Sequence, residues 1–144
     1  MITTLVRPTL REGEETWILR RLYIPTFLTV IEKHGITDIP VGPSIALSLL
    51  RDPLVTADMF SSVQAAFSGG SPLSKEIQNA FYERFLPGKK FTQMWGMTET
   101  CNVVTHFAFP EHDRTGSVGR IVSNLDIKYV LISISFTMIM FPWR

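Results

Sequence analysis

Short strand-like runs alternate with helix-like stretches between residues 36 and 93. The runs at 36–41 and 63–68 are rich in β-branched and apolar residues, and a third begins at Phe91. The stretches between them have helical periodicity. Strands that follow one another through helices pair in parallel, and the helices cover the sheet. The sequence therefore predicts an α/β fold, a partial doubly wound and largely parallel sheet with helices on both faces.

Prolines and glycines set the ends of the predicted helices. Pro25 suits the first helical position, and Gly35 suits the left-handed residue after the last. The helical face between them carries Phe27, Val30, Ile31 and His34. A second helix at 44–50 begins after Pro43 and stops before Pro53. Each of these helices has both a start and a stop signal.

A glycine-rich turn follows the strand-like run at 63–68. Gly69 and Gly70 let the backbone come close to a flat ligand, since neither has a β-carbon. Either Ser71 or Ser74 caps the next helix, which ends near Pro87. The apolar stripe of that helix is predicted to be Ile77, Ala80, Phe81 and Phe85. A strand, a small-residue turn and a helix start make either a nucleotide or anion site or a simple connecting turn.

The run from Phe91 to Thr100 places chemically useful side chains after a strand. Its second half offers Trp95, Thr98 and Glu99 within a few residues. Ligands of open α/β sheets bind beyond the carboxyl ends of the strands. An aromatic ring can stack on a base, a hydroxyl can contact a phosphate and a carboxylate can hold a hard cation. The alternative is a strand followed by a polar turn.

The stretch 93–99, Gln-Met-Trp-Gly-Met-Thr-Glu, resembles the adenine and phosphate motif of the adenylate-forming superfamily. Many members have Gly-Tyr where this chain has Met94 and Trp95. The resemblance implies that Trp95 packs on the adenine of ATP or AMP and that Thr98 contacts the phosphate. Glu99 would bind magnesium, and Thr98 and Glu99 would be the catalytic residues. The nucleotide-binding positions implied here are Gln93, Met94, Trp95, Gly96, Met97 and Thr98.

Other segments resemble the same family. The turn at 68–73 is similar to the turn that supplies backbone contacts to adenine, and 31–48 and 114–120 resemble further family segments. The nucleotide-binding positions implied by the turn are Ser68, Gly69, Gly70, Ser71 and Pro72. Asn102 and Val103 would line the acyl pocket. Because Cys101 and Asn102 depart from the small-Gly-Pro residues common there, the acid preference stays open.

The branch most similar to this chain is that of acyl-CoA synthetases related to 4-coumarate-CoA ligase. The resemblance implies that ATP and a carboxylic acid give an acyl-adenylate, and that coenzyme A then gives the thioester. It covers about 14–130, a slice of the large domain, with an ill-defined lead-in at 1–13 and a non-matching apolar tail at 131–144. The tail has strand-forming composition.

Several functional parts of the family have no counterpart in this slice. They are the lysine-containing triphosphate loop, the Thr-Gly-Asp segment for the ribose, the hinge and the small domain with its catalytic lysine. We therefore expect weak or no turnover from this chain alone. The alternative is a catalytically inactive nucleotide-binding or interaction remnant, whose apolar tail packs against a partner chain.

Charge and composition exclude other classes of protein. The net charge is +1, without a basic stripe, so nucleic acid is not an expected partner. Cys101 is the single cysteine, which excludes an internal disulfide and fits a reducing compartment. The start has no secretory pattern, the uncharged run at 131–143 is shorter than the roughly 20 residues of a membrane helix, and the end lacks Ser-Lys-Leu. We expect a cytoplasmic location.

The histidines and a few segments carry weaker expectations. Cys101, His106 and His112 fit no common zinc spacing, and a polar loop explains them. His34 is expected to be a helix-end residue. Residues 15–20 form a strand candidate and 54–59 a loop or frayed helix. The segment 114–120 is either a loop with an amide nest or a plain turn.

Overall fold

The computed structural model describes residues 11–100, 102–123, 125–132 and 135–142. Most of the predicted lead-in, together with Cys101 and the last two residues, therefore lies outside the described residues. The helices are α1 Ile24–His34, α2 Pro43–Arg51 and α3 Lys75–Phe85, and short 3-10 turns span Ala57–Phe60 and Thr98–Thr100. The strands are β1 Asp38–Pro40, β2 Ala65–Ser68, β3 Lys90–Gln93, β4 Trp95–Met97, β5 Asn102–His106, β6 Arg120–Ile121, β7 Leu125–Ile132 and β8 Ser135–Pro142.

A three-stranded parallel sheet with the order β1-β2-β3 forms the first half of the fold. The crossovers β1-α2-β2 and β2-α3-β3 advance in the same direction, and right-handed crossovers of this kind put both helices on one face. Consistent with this, α2 and α3 pack against each other. The predicted α/β class with a parallel sheet is confirmed, whereas α2 and α3 share one face of the sheet and do not lie on both faces as predicted.

Helix ends follow the predicted signals closely. Pro25 lies in the first turn of α1, and Gly35 adopts a left-handed φ of 61° just after it. Pro43 opens α2. At the start of α3 the Oγ of Ser74, not of Ser71, accepts a hydrogen bond from the backbone N–H of Ile77 at 3.4 Å. The local start and stop residues thus decide where the helices lie.

The apolar stripe of α3 differs from the prediction at one position. Ala80 is exposed, whereas Gln78 is completely buried beside Phe81 and Phe85. Positions 78, 81 and 85 have helical spacing, so the polar Gln78 lies on the stripe that faces the core. The prediction that Ala80 lies on the buried stripe was wrong. The position of a residue around the helix, not its polarity, decides whether it faces the core.

Four phenylalanine rings form the centre of the apolar core. Phe81 lies 4.9 to 6.1 Å, between ring centroids, from its three aromatic neighbours Phe60, Phe85 and Phe91. All four side chains are at most 1% exposed. Phe81 and Phe85 come from α3 and Phe91 from β3, so this cluster fixes the helix on the sheet that carries the candidate site.

The segment 15–20 is not a strand. Its Trp17 instead stacks on the His34 ring, with centroids 3.6 Å apart. The strand prediction failed because a strand needs a partner strand, and apolar composition alone does not supply one. The region 54–59, expected to be a loop or frayed helix, includes the start of the 3-10 turn Ala57–Phe60.

The second half of the described chain is antiparallel, which the sequence did not predict. β4, β5 and β6 form one sheet, and β7 and β8 form a separate pair. The strand predicted for the apolar tail is present as β8. Within the described residues, the helices are too short or too polar to cross a bilayer.

Candidate functional site

The candidate site lies where β2 and β3 end. These strands are parallel neighbours, and Ser68 is opposite Gln93. Beyond this pair the backbone N–H of Met94 donates to the carbonyl of Ser68 at 2.8 Å. The turn at 69–72 and the run from Met94 onwards therefore leave the sheet at the same edge. The structure places the two sequence motifs side by side.

The two glycines of the turn have different physical reasons to be there. A β-carbon on Gly69 would lie 3.0 Å from Cγ of Met94 and 3.3 Å from its carbonyl oxygen, so the turn touches the second motif directly. Gly70 has a φ of +90°, and a β-carbon added there would have no neighbouring atom within 4 Å. The backbone at Gly70 is therefore left-handed and open on its side-chain face. Ser71 and Pro72 continue the turn and are exposed.

The side chain of Gln93 anchors the end of this turn. Its Oε1 accepts from the N–H of Leu73 at 3.2 Å, and its Nε2 donates to the carbonyl of Leu73 at 2.9 Å. Gln93 is only 5% exposed. Its carboxamide is therefore bound to the protein on both sides, and it holds the chain where the turn meets α3.

The second half of the motif is a strand and a tight turn, not the loop that was expected. Trp95–Met97 forms β4, paired with β5, and the pairing shifts between Trp95 and Gly96. A bulge of this kind redirects side chains next to a site. Trp95 and Met97 are half-buried, whereas Thr98 and Glu99 are exposed in the 3-10 turn. A hydroxyl and a carboxylate are thus open to solvent directly after β4.

The two residues assigned to the acyl pocket lie opposite the motif. In the antiparallel register, Asn102 pairs with Met97 and Val103 pairs with Gly96. Val103 is half-buried. The backbone therefore brings both positions next to the centre of the motif, although Cys101, which precedes them, lies outside the described residues.

A magnesium site here would depend on Glu99 and on phosphate oxygens. Within the described residues, no three His, Cys, Asp or Glu side chains are grouped to hold a metal. Magnesium is usually held by one or two carboxylates together with substrate phosphates and water. A single exposed Glu99 fits that mode of binding and does not fit an all-protein site. His112 is engaged elsewhere, as its Nδ1 accepts from the N–H of Phe91 at 3.3 Å.

The amide nest considered for 114–120 is filled by the protein itself. The carboxylate of Asp113 accepts from the backbone N–H groups of Thr115, Gly116 and Ser117 at 2.9 to 3.1 Å. Burial alone would raise the pKa of the Asp113 carboxyl, but the hydrogen bonds from Thr115 and Gly116 outweigh it and hold that pKa below its ordinary value. The nest is thus an internal cap for this loop.

Sequence reasoning missed Gln78 and Asp113, which connect the site to this loop. Gln78 is completely buried and donates from Nε2 to the carbonyl of Asp113 at 2.6 Å. Its Oε1 accepts from Nε2 of Gln93 at 2.8 Å. The available signal was its spacing, since Gln78 is in phase with Phe81 and Phe85.

A family model described as AMP-binding enzyme matches residues 3–132 of this chain. The chain belongs to the AMP-binding enzyme family. The predicted resemblance to the adenylate-forming superfamily is therefore confirmed. Members with similar sequences include acyl-CoA synthetases and 4-coumarate-CoA ligases, the branch that the motifs indicated.

The similar curated relatives are acyl-CoA synthetases and ligases. The chain is 42% identical over 120 residues to the acyl-CoA synthetase ACTT5 of Alternaria alternata, covering 83% of this chain and 21% of that protein. It is 37% identical over 123 residues to the 4-coumarate-CoA ligase of Pinus taeda, covering 83% and 23%. This AMP-binding enzyme chain thus spans between a fifth and a quarter of the length of these relatives.

Solved structures of the family share the fold. The chain aligns with ATP-bound MatB from Rhodopseudomonas palustris with a TM-score of 0.75 at 21% identity, covering 88% of this chain and 24% of MatB. It aligns with the long-chain-fatty-acid-CoA ligase FadD1 from Archaeoglobus fulgidus with a TM-score of 0.74 at 17% identity, covering 93% and 30%. At these identities the likeness concerns the fold alone.

Proposed function

We propose that this AMP-binding enzyme chain forms the adenine- and phosphate-binding part of an AMP-forming acyl-CoA ligase. The observation that supports this best is the contact between the turn at 69–72 and the run that begins at Met94. The Met94 N–H donates to Ser68 at 2.8 Å, and Met94 fills the space beside Gly69. The relatives that are acyl-CoA synthetases and ligases support the class of reaction.

Each residue has a physical role in this proposal. The turn at 68–72 and the backbone of 93–97 form the walls for adenine, and the ring of Trp95 stacks on the base. The hydroxyl of Thr98 donates to a phosphate oxygen. Glu99 holds magnesium, which would offset the negative charge of the phosphates. Asn102 and Val103 lie next to the acyl group.

The chemistry proposed for the complete enzyme has two steps. A carboxylate oxygen of the acid attacks the α-phosphorus of ATP, and the bond to pyrophosphate breaks. The thiol of coenzyme A then attacks the acyl carbon, loses its proton and displaces AMP. Holding the carboxylate and the α-phosphate in line is the main contribution that such a site can make.

Nucleotide binding by the 144-residue chain is the first test. Titration calorimetry with AMP and with ATP and magnesium should detect binding. Trp95→Ala should weaken it by roughly 1 to 3 kcal/mol through lost base stacking. Glu99→Gln should reduce the dependence of ATP binding on magnesium and leave AMP binding nearly unchanged.

Trp17→Ala is the matched control for loss of an indole ring. Trp17 stacks on His34, which precedes β1 and so lies towards the amino ends of the parallel strands, away from the candidate site. This variant should keep the affinity of the original chain. Equal affinity in Trp95→Ala and the original chain would contradict the proposed role of Trp95.

Catalysis needs a separate measurement. Release of pyrophosphate is followed with ATP and a panel of aromatic and fatty acids. Release that requires both ATP and an acid would support the ligase reaction in this chain. Nucleotide binding without release would instead favour the alternative of a non-catalytic nucleotide-binding unit.

A further inference from the structure

A buried relay of two side-chain amides joins the loop at 113–117 to the candidate nucleotide turn. The Asp113 carbonyl accepts from Nε2 of Gln78 at 2.6 Å, and Oε1 of Gln78 accepts from Nε2 of Gln93 at 2.8 Å. Gln93 then makes its paired hydrogen bonds with the backbone of Leu73. Gln78 and Gln93 are 0% and 5% exposed, so water does not compete for these groups.

The relay has only one consistent orientation. A carbonyl oxygen cannot donate, so the Gln78 group facing Asp113 must be its NH₂. The Oε1 of Gln78 must then face Gln93, which requires the NH₂ of Gln93 on that side. This leaves Oε1 of Gln93 free to accept from the N–H of Leu73. A flip of either amide would bring two donors or two acceptors together.

The loop end of the relay is itself held in place. The Asp113 carboxylate accepts three backbone N–H groups of its own loop, and this fixes the direction of the Asp113 carbonyl. Gly116 packs against α3, because a β-carbon there would lie 3.2 Å from Cβ of Lys75. The carbonyl of Gly116 also lies 3.3 Å from Nε2 of Gln93.

We propose that Gln78 is a positioning residue, which orients the Gln93 carboxamide and thereby fixes Leu73 and the turn at 69–72 for nucleotide binding. Gln78 acts through Gln93 and does not touch the nucleotide. The inference rests on the proposed function only in naming the turn as the adenine site. The hydrogen bonds that connect Gln78 through Gln93 to Leu73 are present without a nucleotide, so this connection can be tested on the free protein.

A measurement without ligand tests whether Gln78 stabilises the hydrogen bonds between Gln93 and Leu73. In Gln78→Met, which keeps a side chain of similar size, the Gln93 NH₂ and the Asp113 carbonyl both lose a partner. Hydrogen exchange of the Leu73 amide, measured by NMR on the folded chain, should become faster by about tenfold. Exchange in β1, at the far side of the sheet, should change less.

Asn79→Ala is the matched control. Nδ2 of Asn79 donates to the carbonyl of Arg114 at 3.2 Å, so this neighbour of Gln78 ties the same loop to α3 without contacting Gln93. Leu73 exchange should remain as in the original chain. Equal acceleration in Asn79→Ala and Gln78→Met would show that any loosening of the loop suffices, and it would overturn the proposal.

The variant Gln78→Glu gives a readout that simple destabilisation would not produce. When ionised, the new carboxylate accepts from Gln93 but presents no proton to the Asp113 carbonyl, whereas its protonated form can donate to that carbonyl. Burial and the facing Asp113 carboxylate, to which Gln78 also donates, both raise the pKa of such a carboxyl above its ordinary value of about 4.3. The ratio of the AMP dissociation constants of the variant and the original chain should therefore fall towards one between pH 8 and pH 5.

Using this ratio at each pH cancels the titration of AMP itself. A ratio independent of pH, together with unchanged Leu73 exchange in Gln78→Met, would overturn the role of Gln78. If the original chain binds no AMP, the proposed function fails, and the Leu73 measurement still decides whether Gln78 orients this turn. If Gln78→Met does not fold, Leu73 exchange in Gln78→Glu is divided by that of the original chain at pH 5 and at pH 8. A ratio near one at both pH values would overturn the role of Gln78.

Discussion

His112 shows how one half-buried side chain makes stability depend on pH. Its ring stacks on Tyr82 with centroids 4.0 Å apart, and its Nδ1 accepts from the N–H of Phe91. Nδ1 must be unprotonated to accept this bond. Burial is the largest effect on the pKa of His112 and lowers it from its ordinary value of 6.5. The backbone of Phe91 and the Asp113 carboxylate raise this pKa and Arg114 lowers it, and the net direction is down. The folded protein therefore prefers the neutral ring.

We predict that folding stability falls as the pH drops through 6.5 towards the lower folded pKa of His112. In that range the unfolded chain binds a proton that the folded chain resists, so protonation favours unfolding. Above 6.5 the ring is neutral in both states and this loss is absent. Urea unfolding between pH 7.5 and pH 5 measures the slope, and His112→Gln should make it shallower.

His106→Gln is the control for this slope. His106 is exposed and lies on β5, so its replacement removes an imidazole but leaves the His112 contacts with Phe91 and Tyr82 in place. If His112→Gln and the original chain lost stability equally over this range, His112 would not be the group responsible.

At the same scale, the motif residues were predictable and their supporting partners were not. Local spacing identified Trp95, Thr98 and Glu99 as a group, because they are close in the sequence. Gln93 was identified as a binding position, but its partners Leu73 and Gln78 are 20 and 15 residues away. The helical spacing of Gln78 with Phe81 and Phe85 indicates that Gln78 is buried, but it does not reveal a hydrogen-bond partner 15 residues away.

At the scale of elements, Gly119 shows how a loop is fitted to the antiparallel sheet. It has a φ of +90° and immediately precedes β6, whose Arg120 pairs with His106 of β5. A β-carbon on Gly119 would lie 2.3 Å from the carbonyl carbon of His106 and 2.4 Å from its oxygen. Both the backbone conformation and the available space therefore require glycine.

Gly119→Ala should destabilise the protein by about 4 kcal/mol or more, the range of severe steric changes. Gly70→Ala provides a matched comparison, because Gly70 has the same φ of +90° but no neighbour within 4 Å. Gly70→Ala should lower the free energy of unfolding by only about 1 to 2 kcal/mol, the cost of a left-handed conformation for alanine. Urea unfolding of both variants measures the difference. Equal losses would contradict the clash with the β5 backbone.

Helix boundaries were the elements best predicted, since Pro25, Gly35 and Pro43 act through local backbone geometry. Strands β1 and β2 were also predicted, from their β-branched and apolar residues. The helix between them correctly indicated that they pair in parallel. The split of the motif into β3 and β4 was missed. Met94 alone separates β3 from β4, so no turn residue marks the start of a new strand, and the two residues of β6 are too few to show an alternating pattern.

At the scale of the whole molecule, the apolar core and the antiparallel sheet are joined through polar contacts. Among the described residues, the apolar cluster extends from Phe27 to Phe91. Later segments are tied to it by side chains that donate to backbone carbonyls, such as Lys90 Nζ to Phe107 at 2.9 Å and Gln78 to Asp113. The candidate site lies between these two parts, so its geometry depends on a rigid core beneath β3.

Phe81→Ala is the sharpest test of that dependence. The completely buried Phe81 contacts the rings of Phe60, Phe85 and Phe91, and its truncation should cost about 3 to 5 kcal/mol of unfolding free energy. This is a large share of the roughly 5 to 15 kcal/mol that typically stabilises a domain. Leu54→Ala, at a side chain 78% exposed, should leave the unfolding free energy nearly unchanged. Urea unfolding followed both by far-UV circular dichroism and by loss of AMP binding should give coincident, shifted midpoints for Phe81→Ala. Loss of binding well before the helical signal would instead mean that the edge of β3 opens independently of the phenylalanine core.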